Sequence, residues 1–210
     1  MRILVAVILA IVSSACLAQQ GFYVGGSLGM STAEYDTAEA NAFLASEGIG
    51  HTGVRADEQD TAWKAYIGYR FNRNFAVEGG VVQLGDISAR ATVVSFNGVP
   101  VPPGSITDTF TAELGFHASA LGILPINERM DVFGRLGLYS VKVEETIVVS
   151  GAGGTGVLFG SENSTDILFG VGLQYAFTPN LGARVEWERF TDIVGDGDVD
   201  MISLGITYRF

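Results

Sequence analysis

Apolar and polar residues alternate along much of the chain with the period of two that is typical of β-strands. The stretch SLGITYRF shows the pattern, because every second residue from Leu204 to Phe210 is apolar and the residues between them are small or polar. Stretches of this kind predict eight strands, which span about 21–31, 61–72, 74–85, 109–124, 130–148, 164–177, 181–190 and 203–210. Each predicted strand therefore has one apolar face and one more polar face.

The connections between these strands alternate in length. Those at 72–74, 125–129 and 178–180 are short, those at 32–60, 86–108 and 149–163 are long, and the one at 191–199 is intermediate. Short turns alternating with long loops, together with an even number of strands, are typical of outer-membrane barrels, whose short turns face the periplasm. We therefore predict an all-β fold, an eight-stranded antiparallel up-and-down transmembrane β-barrel. The alternative is a soluble β-sandwich or barrel whose apolar faces point inwards.

The aromatic residues of the apolar faces favour the membrane barrel. Many of them lie near predicted strand ends, where membrane barrels carry girdles of aromatic side chains. The set comprises Trp63, Tyr69, Phe71, Phe75, Phe177, Trp187, Tyr208 and Phe210.

The first residues have the layout of a secretory signal peptide. A positively charged start is followed by an uninterrupted apolar run at 3–12 and by small residues that end at Ala18. This run is too short to span a bilayer as a helix. We predict a cleaved signal peptide at 1–18 and an outer-membrane β-barrel domain at 19–210. Lipoprotein acylation of Cys16 is the alternative, but after cleavage at Ala18 no cysteine would remain for a disulfide or a thiolate metal site.

Composition and charge exclude other classes of protein. Charged residues make up 17% of the chain, against roughly 25% in soluble domains, and 28 residues are glycine. The net charge of −11 and the lack of a basic patch argue against a nucleic-acid partner. The acidic residues are concentrated in the first predicted loop, where we expect them to be solvated.

The polar strand faces carry charged residues that are predicted to line the barrel interior, or lumen. They are Lys64, Arg70, Glu78, Glu113, Arg135, Arg184, Glu186, Glu188 and Arg209. A buried charge without a partner is costly, so these residues should pair across strands. One interpretation is a salt-bridged plug that fixes the barrel shape. The other is a narrow, porin-like channel that opens when Arg135 or Arg184 exchanges partners; a wide channel would need roughly 16 strands.

Several segments, strung together in order, resemble the small outer-membrane β-barrel family that includes the transmembrane domain of outer-membrane protein A. They are FYVGGSLG, NFAVEGGVVQLGD, ALGILPINERMDVFGRLGLY, LFGVGLQYAFTPNLGARVEWERF and the final YRF. The resemblance implies an outer-membrane location, contact with lipid and lipopolysaccharide, and recognition of Tyr208 and Phe210 by the barrel-assembly machinery. The periplasmic peptidoglycan-binding domain of outer-membrane protein A has no counterpart after Phe210, so anchoring to the cell wall is not expected.

Enzymatic chemistry has one weak candidate. His117 and Ser119 resemble the His-x-Ser pair of lipid A 3-O-deacylases, which are also eight-stranded outer-membrane barrels. Their position on the polar strand face predicts that they point into the lumen, whereas the pair faces lipid in that family. No third residue is placed to orient His117. We therefore expect a non-enzymatic protein without a cofactor.

The predicted loops offer the remaining candidate sites. GDGDVD in the last loop has aspartates at alternate positions, but it lacks the glycine and the distal glutamate of a calcium-binding EF-hand loop. The first loop could form a short helix that is capped by Thr37 and ended by Gly48. Long acidic loops on a rigid barrel suggest the display of a surface to an extracellular ligand or to a host.

Overall fold

The computed structural model describes residues 20–34, 37–152, 154–194 and 197–210. The predicted signal peptide lies outside these residues. The described chain forms one antiparallel sheet of twelve strands.

Eight of these strands form a closed ring. The ring follows the order β1 (Gly21–Ala33), β4 (Gln59–Arg70), β5 (Phe75–Gln83), β8 (Gly115–Pro125), β9 (Met130–Gly151), β10 (Gly154–Ala176), β11 (Leu181–Val194) and β12 (Gly197–Arg209). It closes because the last of these strands pairs with the first, over Tyr23–Ala33 and Val199–Arg209. The predicted eight-stranded antiparallel barrel is confirmed.

The other elements lie at one end of the barrel, which we call the loop end; the opposite end, with the short connections, is the turn end. They are the helix α1 (Thr37–Ser46) and the strands β2 (Ile49–His51), β3 (Arg55–Asp57), β6 (Asp86–Phe96) and β7 (Val99–Ala112). The predicted helix is confirmed, and Gly48 after it adopts a positive φ of 74°. Among the described residues, there is no helix with the length and apolar character that are needed to cross a membrane.

The loops predicted at 86–108 and 149–163 are largely extended, and this part of the prediction is wrong. The strands β6 and β7 form a hairpin, and β7 continues the barrel wall by pairing with β9 over 105–112 and 143–150. The strands β9 and β10 remain paired up to Gly151 and Gly154. The barrel wall therefore extends well beyond the predicted strand ends at the loop end.

The outer surface of the ring is apolar. Leu28, Leu136 and Ile206 are each more than 55% exposed, as are many other large apolar side chains at alternate positions. Near the turn end the aromatic side chains form edge-to-face pairs, such as Tyr208 with Phe210 at 5.3 Å between ring centroids. This arrangement, apolar outside and polar inside, is that of a lipid-facing barrel and is the reverse of a soluble one.

One extra residue in the wall changes which side chains face inwards. Ala112 lies opposite Val143, but Phe116 lies opposite Ser140, so the β7–β8 side contains one residue more than the facing strand. The extra residue shifts the alternation by one position. Inward-facing and outward-facing positions are therefore exchanged in β7 relative to β8. Regular alternation along the predicted strand 109–124 places Phe110 on its apolar, outward face. In the structure Phe110 instead packs against the core of the barrel.

The same shift corrects the predicted placement of Glu113 in the lumen. This residue lies between β7 and β8, and its side chain is exposed on the outside of the wall. Its carboxylate pairs with Lys142, at 3.3 Å, and Lys142 also contacts Glu144 at 2.6 Å. Glu113 is therefore part of an exposed ion-pair group and has no place among the lumen charges.

Candidate functional site

Six charged side chains meet inside the barrel, and we call them the central charge network. They are inward-facing residues of four wall strands: Lys64 of β4, Glu78 of β5, Arg135 of β9, and Arg184, Glu186 and Glu188 of β11. Each is at most 4% exposed. The alternation of the strands places these charges inside, since a charge on the outer face would lie in lipid.

Arg135 is the centre of this network. Its guanidinium contacts the carboxylates of Glu78 and Glu188, and its Nε lies 3.2 Å from Glu186. The ammonium of Lys64 binds both Glu186 and Glu188 from the other side. Two carboxylates of β11 are thus shared between two cations.

Arg184 completes the network toward the turn end. It donates a hydrogen bond of 2.6 Å to Glu78, which also accepts one of 2.8 Å from the Tyr23 hydroxyl. Its guanidinium lies 4.9 Å from the ring centroid of Tyr66 and 4.7 Å from that of Phe133, in cation–π geometry. Three cations therefore face three carboxylates, and the network is electrically balanced.

Buried apolar side chains lie on both sides of the charges. Toward the turn end, the aromatic rings already described pack with Ala76 and Leu121. Toward the loop end lies a larger cluster, which we call the outer plug. Its members are Ala33, Ala62, Val82, Leu84, Ala112, Tyr139, Val141, Val143, Leu168, Phe190, Ile193, Val199 and Met201. The outer plug begins directly beside the network, because Met201 lies opposite Glu188 on the neighbouring strand.

Glycine provides the space that the inner aromatic rings occupy. A Cβ atom at Gly68 would overlap the ring of Tyr23, and one at Gly25 would overlap the ring of Tyr66. Each glycine lies on the strand next to the tyrosine that covers it. Part of the high glycine content is therefore explained by the packing of the lumen.

The two remaining predicted lumen residues lie near the turn end. Arg70 pairs with Asp131 at 2.8 Å and donates to the carbonyl of Arg73 at 2.6 Å. Arg209 is half-buried, and it forms no ion pair with any residue that the structure describes. Neither side chain has an ion pair or hydrogen bond with the central charge network among the described residues, so these two arginines are separate from it.

His117 and Ser119 face the lumen and are buried, at 5% and 7% exposure. Among the described residues, the two imidazole nitrogens of His117 and the hydroxyl of Ser119 have no hydrogen-bond partner. The pair is therefore neither connected as a nucleophile and base nor open to lipid.

The aspartates of the last loop are held by a cation of the protein itself. Arg189 contacts Asp200 at 2.7 Å, Asp198 at 3.4 Å and Glu34 at 3.1 Å. Asp196 lies outside the described residues. In the described ranges, the histidines and carboxylates form no cluster that could hold a metal ion.

Several lumen residues were missed among the sequence candidates. Tyr23, Tyr66 and Gln174 contact Arg184 or Glu78, and Asp131 pairs with Arg70. The signal that could have found the first three was their position on the polar strand faces.

Comparison with known proteins identifies the family. The family of the OmpA-like transmembrane domain matches residues 17–210. The chain belongs to this family. It is therefore an outer-membrane β-barrel protein. Barrels of this kind have short turns in the periplasm and longer loops outside the cell, so the loop end is the extracellular end.

Curated relatives are longer than this chain. Outer membrane protein A of Escherichia coli O157:H7 is 28% identical over 210 residues, which cover 96% of this chain and 51% of that protein. The protein of the same name in Serratia marcescens is 26% identical, and the match covers 96% of this chain and 52% of that protein. The chain thus spans about half the length of the curated relatives it matches.

Solved outer-membrane barrels are also similar to this chain. Ail, the attachment invasion locus protein of Yersinia pestis, was solved in complex with the heparin analogue sucrose octasulfate. It is 20% identical, the match covers 90% of this chain and 99% of that one, and the TM-score is 0.46. OprG from Pseudomonas aeruginosa is 14% identical, with coverage of 91% and 96% and a TM-score of 0.47.

Proposed function

We propose that this OmpA-like barrel is a non-enzymatic structural protein of the outer membrane, with a closed lumen and an extracellular surface for contact with other molecules. The observation that carries the proposal is the filling of the lumen. A balanced network of six buried charges lies between two apolar clusters. A water path would have to break several ion pairs and also displace the outer plug.

The energetic cost of opening favours a structural role over a gated channel. Exchange of partners by Arg135 or Arg184 would rearrange the charges, but it would leave Phe190 and Met201 in place beyond them. Apolar constrictions exclude water and ions even where polar surfaces lie on either side. The narrow, charge-gated channel is therefore the second candidate, and solute flux distinguishes the two.

Solute flux is measured by the swelling of proteoliposomes in isotonic solutions of small sugars. We expect the wild type and Arg135→Ala to give the rate of empty liposomes. The double variant Phe190→Ala/Met201→Ala is compared with Arg135→Ala. It removes apolar side chains from the outer plug and leaves the charges of the same lumen unchanged. Sugar entry through the wild-type protein would support the channel instead.

The structural role predicts a phenotype of the envelope. A strain that lacks the protein should be more sensitive to detergent and should release more outer-membrane vesicles than its parent. Both defects should be restored by the wild type and by His117→Ala, whose lipid A should have an unchanged mass spectrum. Loss of an acyl chain from lipid A that depends on His117 would establish the deacylase alternative.

The partners of this function follow from the surfaces of the barrel. The apolar band suits lipid and the acyl chains of lipopolysaccharide, and the acidic extracellular segments suit an external ligand or a host surface. Recognition by the barrel-assembly machinery is proposed for Tyr208 and Phe210, which lie on the outside of the last strand at 46% and 72% exposure. Removal of the Phe210 side chain should then lower the yield of folded barrel in the outer membrane.

A further inference from the structure

Among the residues that the structure describes, the extracellular part of β10 is paired on one side only. This strand pairs with β9 along 154–175, but with β11 only along 168–176. All ten residues of the segment 154–163, which we call the free edge, are exposed. In an antiparallel strand, every second backbone N–H and C=O group points away from the paired neighbour. The free edge therefore presents a row of backbone donors and acceptors to solvent.

The local structure of β11 explains why the edge begins where it does. The pairing of β11 with β12 becomes irregular after Phe190, and Asp192 adopts a positive φ of 56°. The backbone thereby turns away from β10. Two hydrogen bonds close the base of the gap: Ser164 donates to the carbonyl of Asp192 at 2.8 Å, and Thr191 donates to that of Ile167 at 2.9 Å. Beyond Ser164, β11 contributes no backbone pairing to β10.

The opposite edge of the extracellular sheet is covered. The short strands β2 and β3 both pair with β6 along that side. The helix α1 is tied to β2, because Asn41 lies 2.7 Å from His51 Nε2 and also accepts from the backbone N–H of Val54 at 3.0 Å. Short strands and a covering helix are common ways to protect a sheet edge. One edge of this sheet is thus protected and the other is bare.

The sequence of the free edge also lacks protection. It reads GTGVLFGSEN, with no proline, no lysine and a single charge, at Glu162. The side chains of Val157, Leu158 and Phe159 are 45%, 64% and 81% exposed. A long exposed edge with one charge and an apolar centre is a template for pairing with another strand.

The composition of the edge favours a second copy of the same edge as its partner. An antiparallel register centred on Leu158 places Val157 opposite Phe159, a β-branched residue opposite an aromatic one, which is a favourable cross-strand pair. Leu158 then lies opposite its own copy on the other face, and Glu162 lies opposite Gly154. A parallel register in which each residue faces its own copy would instead oppose Glu162 with Glu162, which is unfavourable.

The direction of pairing determines where the second copy lies. All copies in one membrane have the same orientation, so their free edges run in the same direction. Antiparallel pairing needs copies that point towards each other. We propose that the free edge of β10 joins this protein to a second copy on an opposing membrane, as a homophilic contact between two cells.

Cysteine cross-linking tests both the partner and the register. In the mature chain, which is predicted to lack cysteine, Val157→Cys and Phe159→Cys are reconstituted into separate liposomes that carry different dyes. Mixing the two populations under mild oxidation should give a disulfide-linked dimer that contains both variants. Either variant alone should give little dimer, because residues offset by two positions are too far apart for a disulfide. Dimer formation by Phe159→Cys alone would indicate parallel pairing and would overturn the proposal.

Clustering of vesicles provides the second readout. Liposomes that contain the wild type should cluster, as measured by light scattering, and more so as salt screens the net charge of −11. Leu158→Lys places a like charge at the centre of the contact and should abolish clustering. Val149→Lys is the control, because Val149 lies on the same hairpin but pairs on both sides, with Ile106 and Gly156. Wild-type liposomes that stay dispersed, or clusters that persist with Leu158→Lys, would refute the contact.

Discussion

Removal of the Arg135 guanidinium should strongly destabilise the barrel. Arg135→Met keeps most of the side-chain volume but leaves three buried carboxylates, those of Glu78, Glu186 and Glu188, with two cations. One buried carboxylate is then uncompensated. Breaking a buried ion pair by removal of one partner costs about 3–5 kcal/mol. We expect a loss of this size in the free energy of unfolding.

A second substitution should recover part of that loss. In the double variant with Glu188→Gln, two ion pairs remain, Arg184 with Glu78 and Lys64 with Glu186. The charges are again balanced, so the double variant should be more stable than Arg135→Met alone, by about 0.5–3 kcal/mol. In the wild-type background, Glu188→Gln alone should be destabilising, because it removes a partner of Arg135 and Lys64.

Urea unfolding in lipid vesicles measures these differences. The emission of Trp63 and Trp187 reports the transfer of the outer surface from lipid to water, and heat-modifiable gel migration reports the closed barrel. Lys142→Met is the matched control, since it removes a cation from an exposed ion-pair group and should leave the unfolding midpoint nearly unchanged. The reasoning fails if Arg135→Met costs less than about 1 kcal/mol, the centre of the distribution of ordinary single-substitution effects. It also fails if Glu188→Gln lowers stability further in the Arg135→Met background.

Two other predictions concern the packing of the lumen and the extracellular sheet. Gly68→Ala should lower the urea midpoint, because the new methyl group meets the ring of Tyr23; the expected loss of stability is about 1–3 kcal/mol. Gly134→Ala is the control and should be tolerated, since a Cβ atom there meets no atom within 4 Å. Equal midpoints for the two variants would contradict this account. Burial, and to a lesser extent the charge of Glu145, raise the pKa of Asp108 to about 6. Protonation of Asp108 should therefore stabilise the β6–β7 hairpin at low pH, and this gain should be lost as the pH rises through about 6. Amide exchange in that hairpin should show this dependence in the wild type and lose it in Asp108→Asn; an unchanged profile in the variant would exclude Asp108 as its source.

The sequence was sufficient to predict which residues of the regular strands face inwards. Lys64, Glu78, Arg135 and Arg184 alternate with apolar residues, and in a membrane barrel a charge at such a position has only the lumen as a polar environment. It could not predict which charge meets which. Those contacts depend on the stagger between neighbouring strands, and no local pattern records the stagger.

Glu113 shows why part of the prediction was wrong. The alternation rule holds only while the facing strands have equal numbers of residues, and here one residue is inserted next to Leu114. Nothing in GFHASALG or in the residues before it marks the insertion. The outer plug was missed for a second reason, because the segments that supply Ile193 and Val199 were expected to be irregular loop. The inserted residue explains only Phe110, which packs against the plug and was expected on the lipid face.

Single-channel conductance of the refolded mature protein in a planar bilayer tests the closed lumen most directly. Wild type, Arg135→Ala and Arg184→Ala are compared, with folding of each verified by heat-modifiable migration. The account predicts a silent wild type, and silent variants wherever the barrel is folded, because the outer plug remains in place beyond the charges. Discrete conductance steps in the wild type that either substitution alters would contradict it and would establish a pore gated by the central charge network.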